Sequence, residues 1–411
     1  MEFVGYSYYD YQFYINCILG IIISTPVVVS ILFVKHILAR LVLLFGVLVY
    51  VFPYFIVKEW GNYNVELYHL LVPYFFFMSS TLLLWILNPF LESSRVNLYL
   101  SSKTSGTIGM SRLPIVGVIV LFVFWGGYFL VFPDHSAFYT YWSDPTASES
   151  PRFAFYESNA VVQLLYALTG RILIPLLLVI LVLRTNQLTV VISLVLFAYI
   201  LLHSGERQNL ILLSMAFLVV AMYKHGLDLK KYALAAIIPI SGLVQAFLLQ
   251  GNYSDQSVSL YVASIRILFN RVIVDPFFMH SYLNASYDGP LLYGATNRVV
   301  GYLLGSYELG WSAIGLLPDL FVNFGDVGYF LGVPYFCFLV FMACKILNFA
   351  STQIFYVTAL VLFLVALVSL YYANIFSIVP IAVYGFASLL CVRFTFRRKQ
   401  SQVFRDEPQN V

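Results

Sequence analysis

The sequence predicts an all-α polytopic integral membrane protein of about eleven transmembrane helices. Its N-terminus is expected outside, its C-terminus in the cytoplasm, and a large outer loop before the last three spans. Three observations predict this class. Of 411 residues, 61% are hydrophobic and only 10% charged, where a soluble domain carries roughly a quarter; the mean hydropathy is +0.87. Apolar runs of about 20 residues, the length that crosses a bilayer, recur along the chain. Lysine and arginine alternate between connections instead of spreading evenly.

The expected spans cover roughly 13–34, 40–57, 68–88, 113–132, 160–183, 187–203, 208–224, 232–250, 319–344, 353–371 and 375–393, and the chain (1–411) is read as one transmembrane domain. Prolines inside several of them (Pro26, Pro53, Pro73, Pro175, Pro239, Pro334, Pro380) are tolerated as kinks in a bundle. Fifteen of the 22 Lys and Arg residues fall in one set of alternate connections and the C-terminal tail. That set is assigned to the cytoplasm. The loops 133–159 and 251–318 are then both outside, on the periplasmic face. Glu2 and Asp10 stand where a cleavable leader would carry basic residues, so no signal peptide is expected. Cys17, Cys337, Cys344 and Cys391 lie in or against apolar runs and read as small core residues, not a disulfide framework or metal site.

Taken in order, the first three spans and the Ser/Gly-rich inner loop 88–112 offer no chemistry. The outer loop 133–159 is rich in tyrosine, tryptophan and small polar residues. Such a surface suits sugar rings or the aromatic belt of a membrane interface. Arg171 falls about ten residues into span five. A guanidinium at that depth costs a few kcal/mol, so it either faces a partner or a wet cavity, or it snorkels outward from a later helix start.

The hairpin HSGERQNL (203–210) opens span seven. Free N–H groups and the positive dipole end of that helix point outward there. Arg207 adds a fixed cation, which makes a ready anion site; pairing with Glu206 or anchoring at headgroups is the alternative. In the loop 251–318, residues 257–284 are apolar enough to lie on the membrane, yet Arg266, Arg271 and Asp275 argue against a span. An amphipathic or re-entrant helix fits. Arg271 and Asp275 share a face while Arg266 points away, and Pro276 ends or kinks the helix. Either Asp275 simply pairs with Arg271, or it orients that arginine toward a phosphate. His280 is a structural residue or a base for a sugar hydroxyl. Arg298 follows in a glycine-rich stretch.

The run LLPDLFVNFGDVGYFLG carries Pro318, Asp319, Phe321, Asn323, Phe324, Gly325 and Gly328. It resembles the late signature of bacterial O-antigen and capsule repeat-unit polymerases, the Wzy family, with Asp319 where glutamate is expected. Gly205-Glu206-Arg207 resembles the small-residue-then-Arg turn of that family, and Phe269-Asn270-Arg271 with Pro276 its loop arginine. The resemblance implies transfer of a growing glycan from undecaprenyl pyrophosphate to a sugar hydroxyl of the next lipid-linked repeat unit. Arg207, Arg271, Arg266, Arg298 and Arg171 would hold the pyrophosphate, whose developing charge needs preorganised cations. His280, Asp319 or Asp275 would serve as base. Expected partners are the lipid-linked oligosaccharide, the bilayer, and a chain-length regulator and flippase, with no nucleic acid. No cofactor and no metal are expected: there is no glycine-rich phosphate loop and no metal spacing. An O-antigen ligase using the same donor, or a flippase for the same lipid-linked sugar, are the competing readings.

Overall fold

The computed structural model describes residues 11–51, 67–91, 113–139, 155, 158–204, 207–225, 315–350, 353–371 and 378–403. Among them all regular structure is helical. Three helices are long and apolar enough to cross a membrane: Leu113–Val131, Ala160–Arg184 and Asp326–Leu347. Shorter apolar helices of 10–17 residues accompany them. The expected span at 232–250 lies outside the described residues. The chain forms two compact units, one of Met1–Ser93, Phe269–Ile346 and Ala366–Ile381, the other of Ser94–Leu268, Leu347–Val365 and Ala382–Val411.

In the first unit, α1 (Tyr11–Ile31), α2 (Ile37–Gly46) and α3 (Leu67–Ile86) pack together, with the short α4 (Asn88–Leu91) after them. A turn ties α1 to α4. Asn88 accepts the Lys35 N–H at 2.9 Å and donates to the Phe33 carbonyl at 2.8 Å. His36 caps α2, its Nδ1 accepting the Leu38 N–H at 3.2 Å, as an orphan donor at a helix start requires. Burial pushes the His36 imidazole down to about 4. Tyr50, Phe77, Phe336 and Tyr371 fill the centre with ring contacts of 5.9–6.2 Å. Their phenols are satisfied inside it: Tyr50 donates to the Tyr371 carbonyl and Tyr371 to the Val42 carbonyl, each at 2.9 Å, as buried Tyr hydroxyls demand.

One expected span resolves differently. The stretch 319–344 is two helices, α10 (Leu316–Phe324) and α11 (Asp326–Leu347), broken at Gly325. The cause is backbone conformation: Gly325 has φ 62° and Gly315, before α10, has φ 80°, a region in which a side chain is strained. A hydropathy window sees only continuous apolarity and misses the break. Helix α10 is buried on nearly every face.

In the second unit, α5 (Leu113–Val131) lies at the periphery with an apolar outer surface of Val116, Val120, Val123 and Phe124, the side that would meet lipid. At its centre runs a continuous helix of three parts, α6 (Ala160–Leu168), a π-turn (Thr169–Leu173) and α7 (Ile174–Arg184). α8 (Gln187–Leu202) and α9 (Arg207–His225) pack against it. Helices α12 (Gln353–Ser369) and α13 (Ile378–Val403) complete the described chain.

Candidate functional site

The π-turn is where the second unit departs from regular helix. Pro175 has no N–H to give the carbonyl four residues back, which belongs to Arg171, and its ring would crowd that carbonyl. An extra residue relieves the clash: the Ile174 N–H bonds to the Thr169 carbonyl, five residues back. Such π-turns recur at functional sites. This one carries Arg171, only 7% exposed within a helix of the required length and apolarity. The guanidinium therefore meets its partners inside the unit and does not snorkel to an edge.

One partner is Asn209, fully buried on α9, whose Oδ1 accepts from the Arg171 Nε at 3.5 Å. A methyl at Gly170 would press on Leu201 Cδ2 at 3.1 Å and stand at ordinary contact distance, 3.6 Å, from Asn209 Cγ. Asn209 lies two residues beyond Arg207, the first residue of α9. The second turn partner, Thr169, accepts from the indole N–H of Trp125 on α5 at 3.3 Å and donates to the Leu165 carbonyl at 2.8 Å. Arg171 is thus held against the start of the helix that Arg207 opens.

The hairpin before α9 is fixed from α5's side. After α5 a 3₁₀ turn, Pro133–His135, carries the chain to Ser136. Ser136 Oγ and His203 Nδ1 lie 2.6 Å apart, both residues fully buried. The Ala137 N–H donates to the His203 carbonyl at 2.8 Å. The Tyr139 N–H donates to Ser136 Oγ at 3.1 Å, and the Tyr139 and Tyr199 hydroxyls meet at 2.9 Å. His203 stacks on Phe129 at 4.2 Å and 11°, and burial pushes its imidazole down to about 4. One residue earlier, His135 is half-buried, stacked on Phe132 at 5.5 Å, with Nδ1 2.8 Å from the Tyr128 hydroxyl.

Of the residues expected at the site, Arg171 is placed as described and Arg207 opens α9, its side chain outside the description. Asp319 belongs to the first unit, 0% exposed on α10, where Asn323 Nδ2 donates to its carbonyl oxygen at 2.7 Å and to Oδ1 at 3.1 Å. Asn323 thus braces the enclosed carboxylate within α10. Arg266, Arg271, Asp275, His280 and Arg298 lie outside the described residues. Among the described residues no three His, Cys, Asp or Glu side chains gather as a metal ion requires. Sequence reading passed over Asn209, Tyr128, His135, Ser136 and His203. Asn209 so close to Arg207, and His135 in the aromatic loop 133–159, offered local signals; the Ser136–His203 contact joins distant parts of the chain.

No family model, curated protein or solved structure matches the chain.

Proposed function

We propose that the protein is a membrane glycosyltransferase of the repeat-unit polymerase kind. It joins undecaprenyl-pyrophosphate-linked oligosaccharides into O-antigen or capsular polysaccharide at the outer face of a bacterial inner membrane. The observation that carries this reading is Arg171, buried on a π-turn in an apolar helix and bonded to Asn209, two residues past Arg207. A cation kept inside an oily bundle at the cost of a few kcal/mol is functional by default. Gathering it at a helix start suits a polyanion, because the free N–H groups and the helix dipole add to it. The signature around Asp319 supports the same reading on the sequence side.

In the proposed reaction the acceptor hydroxyl displaces the lipid pyrophosphate from the donor's anomeric carbon. Arg171 and Arg207 stabilise the leaving diphosphate, and the resemblance nominates Arg266, Arg271 and Arg298 for the same role. His280, Asp275 or Asp319 is the base nominated by the resemblance. The deciding experiment is reconstitution of the full chain in proteoliposomes with one purified lipid-linked repeat unit. A polymerase gives a ladder of products. Transfer seen only when a lipid A core is supplied indicates a ligase, and movement of the lipid with no new glycosidic bond indicates a flippase; either result overturns the proposal.

A further inference from the structure

We propose that His135 is the base that takes the proton from the acceptor hydroxyl, an assignment that rests on the polymerase reading above. The geometry has three parts. First, the imidazole is oriented on two sides. Its face lies on Phe132 at 14°, and Nδ1 meets the Tyr128 hydroxyl at 2.8 Å. In the tautomer whose Nδ1–H donates to the phenol oxygen, the lone pair of the neutral ring is on Nε2, the tautomer the proposal assigns.

Second, the turn that carries His135 does not wander. The next residue, Ser136, is locked to His203, and Ala137 to the His203 carbonyl. His203 begins the hairpin that leads to Arg207 and to Asn209, the partner of Arg171. The imidazole and the buried guanidinium therefore belong to one packed body, as a base and an anion clamp acting on one bond must. Third, the surface around the imidazole suits a sugar. Phe132 is 47% exposed and Tyr128 half-exposed, giving an aromatic face next to a hydrogen-bonding pair. Asp134 is exposed in the same turn. By contrast His203, from α8, is fully enclosed, and so cannot reach a hydroxyl.

The step balances as follows. The acceptor oxygen forms a bond to the donor's anomeric carbon, and the bond from that carbon to the pyrophosphate oxygen breaks. The bonding pair leaves with the undecaprenyl pyrophosphate. The hydroxyl proton passes to His135 Nε2, and the imidazolium returns it to water before the next cycle.

The test uses the full chain in proteoliposomes with the purified lipid-linked repeat unit, comparing wild type with His135→Gln and Tyr128→Phe. His135→Gln should lower kcat about 10²- to 10⁴-fold and leave KM within a few-fold. Tyr128→Phe keeps the ring packing and should slow turnover about tenfold by freeing the imidazole's orientation. A His135→Gln protein that polymerises at the wild-type rate overturns the assignment while leaving the polymerase reading standing. Should His135→Gln fail to fold, a Tyr128→Phe protein with unchanged kcat overturns it instead. A wild-type protein that makes no ladder removes both.

Discussion

Ser136 and His203 stand 67 positions apart in the chain and 2.6 Å apart in the fold. Their contact ties the turn after α5 to the hairpin before α9. Ser136 Oγ already accepts the Tyr139 N–H, so its own hydroxyl proton is available to His203 Nδ1, and Nε2 then carries the ring's proton. Among the described residues that buried Nε2 has no hydrogen-bond partner. The imidazole lies among rings, with Tyr199 edge-on at 4.8 Å and Tyr139 at 5.1 Å between centroids, contacts that a neutral imidazole tolerates.

Acid should loosen this contact. Burial lowers the imidazole of His203 to about 4, below the usual 6.5. The folded state thus binds fewer protons than the unfolded one between these values, and stability falls as pH drops through that window. Above about 6.5 the full contribution is present; below about 4 it is gone, a ceiling of about 3 kcal/mol. His36 in the first unit, also lowered to about 4, adds a loss of the same sign. The thermal midpoint of the detergent-solubilised protein should decline from pH 7 to pH 4. His203→Phe should flatten the decline relative to wild type. Parallel declines in the two proteins would mean that other groups govern the acid response.

Arg171 tests function against stability. Arg171→Met keeps an unbranched apolar stem and removes the guanidinium and its charge. It leaves the buried Asn209 oxygen without this donor, at about 1–3 kcal/mol. Against that, the cost of a guanidinium inside an apolar bundle disappears. The midpoint should therefore move little, while on the proposed polymerase reading product length collapses to single repeat units in cells or in proteoliposomes. A Met variant that unfolds but polymerises normally when stabilised would make Arg171 a structural residue.

Much of the helical layout was legible because apolar runs of membrane length leave a strong mark on composition. Helices at 113–131, 160–184 and 187–202 fall within a residue or so of the expected spans. What stayed hidden was local or tertiary. The break at Gly325 depends on a φ of 62°, and hydropathy carries no such information. Pro175 was visible as a kink, but its product, a π-turn that carries Arg171, follows only once the missing hydrogen bond is traced. The contact of Ser136 with His203 joins separate helices, so no spacing rule could find it. At Arg171 the sequence left cavity and snorkel open; its burial decided for the interior.

The signature near Asp319 has a structural test of its own. Asn323 donates to both the carbonyl and the carboxylate of Asp319, one helical turn away. Asn323→Leu fits the apolar surroundings yet removes both bonds, which should cost about 1–3 kcal/mol for buried acceptors deprived of a donor. Asn323→Asp should do worse, since it places a second carboxylate beside the first in a site closed to water. Midpoints for the two variants that match wild type would show that Asp319 is held by its other contacts alone.

Glycines offer a sharp contrast between the close crossing of α10 and α11 and the peripheral helix α5. At Gly328, where α11 crosses α10, a methyl would stand 2.8 Å from the Leu320 carbonyl carbon and 3.2 Å from Phe324 Cβ. Both belong to or sit against backbone and cannot rotate away, so the helices would have to part. Gly328→Ala should therefore destabilise by about 1–3 kcal/mol or more. Gly127 on α5 has nothing within 4 Å of the added methyl. Gly127→Ala should leave stability unchanged or raise it by up to about 1 kcal/mol, because alanine favours a helix interior over glycine. Denaturation midpoints of the two purified variants, measured side by side, should move in opposite directions or by clearly unequal amounts. Equal shifts would mean that the close crossing of α10 and α11 is not what Gly328 protects.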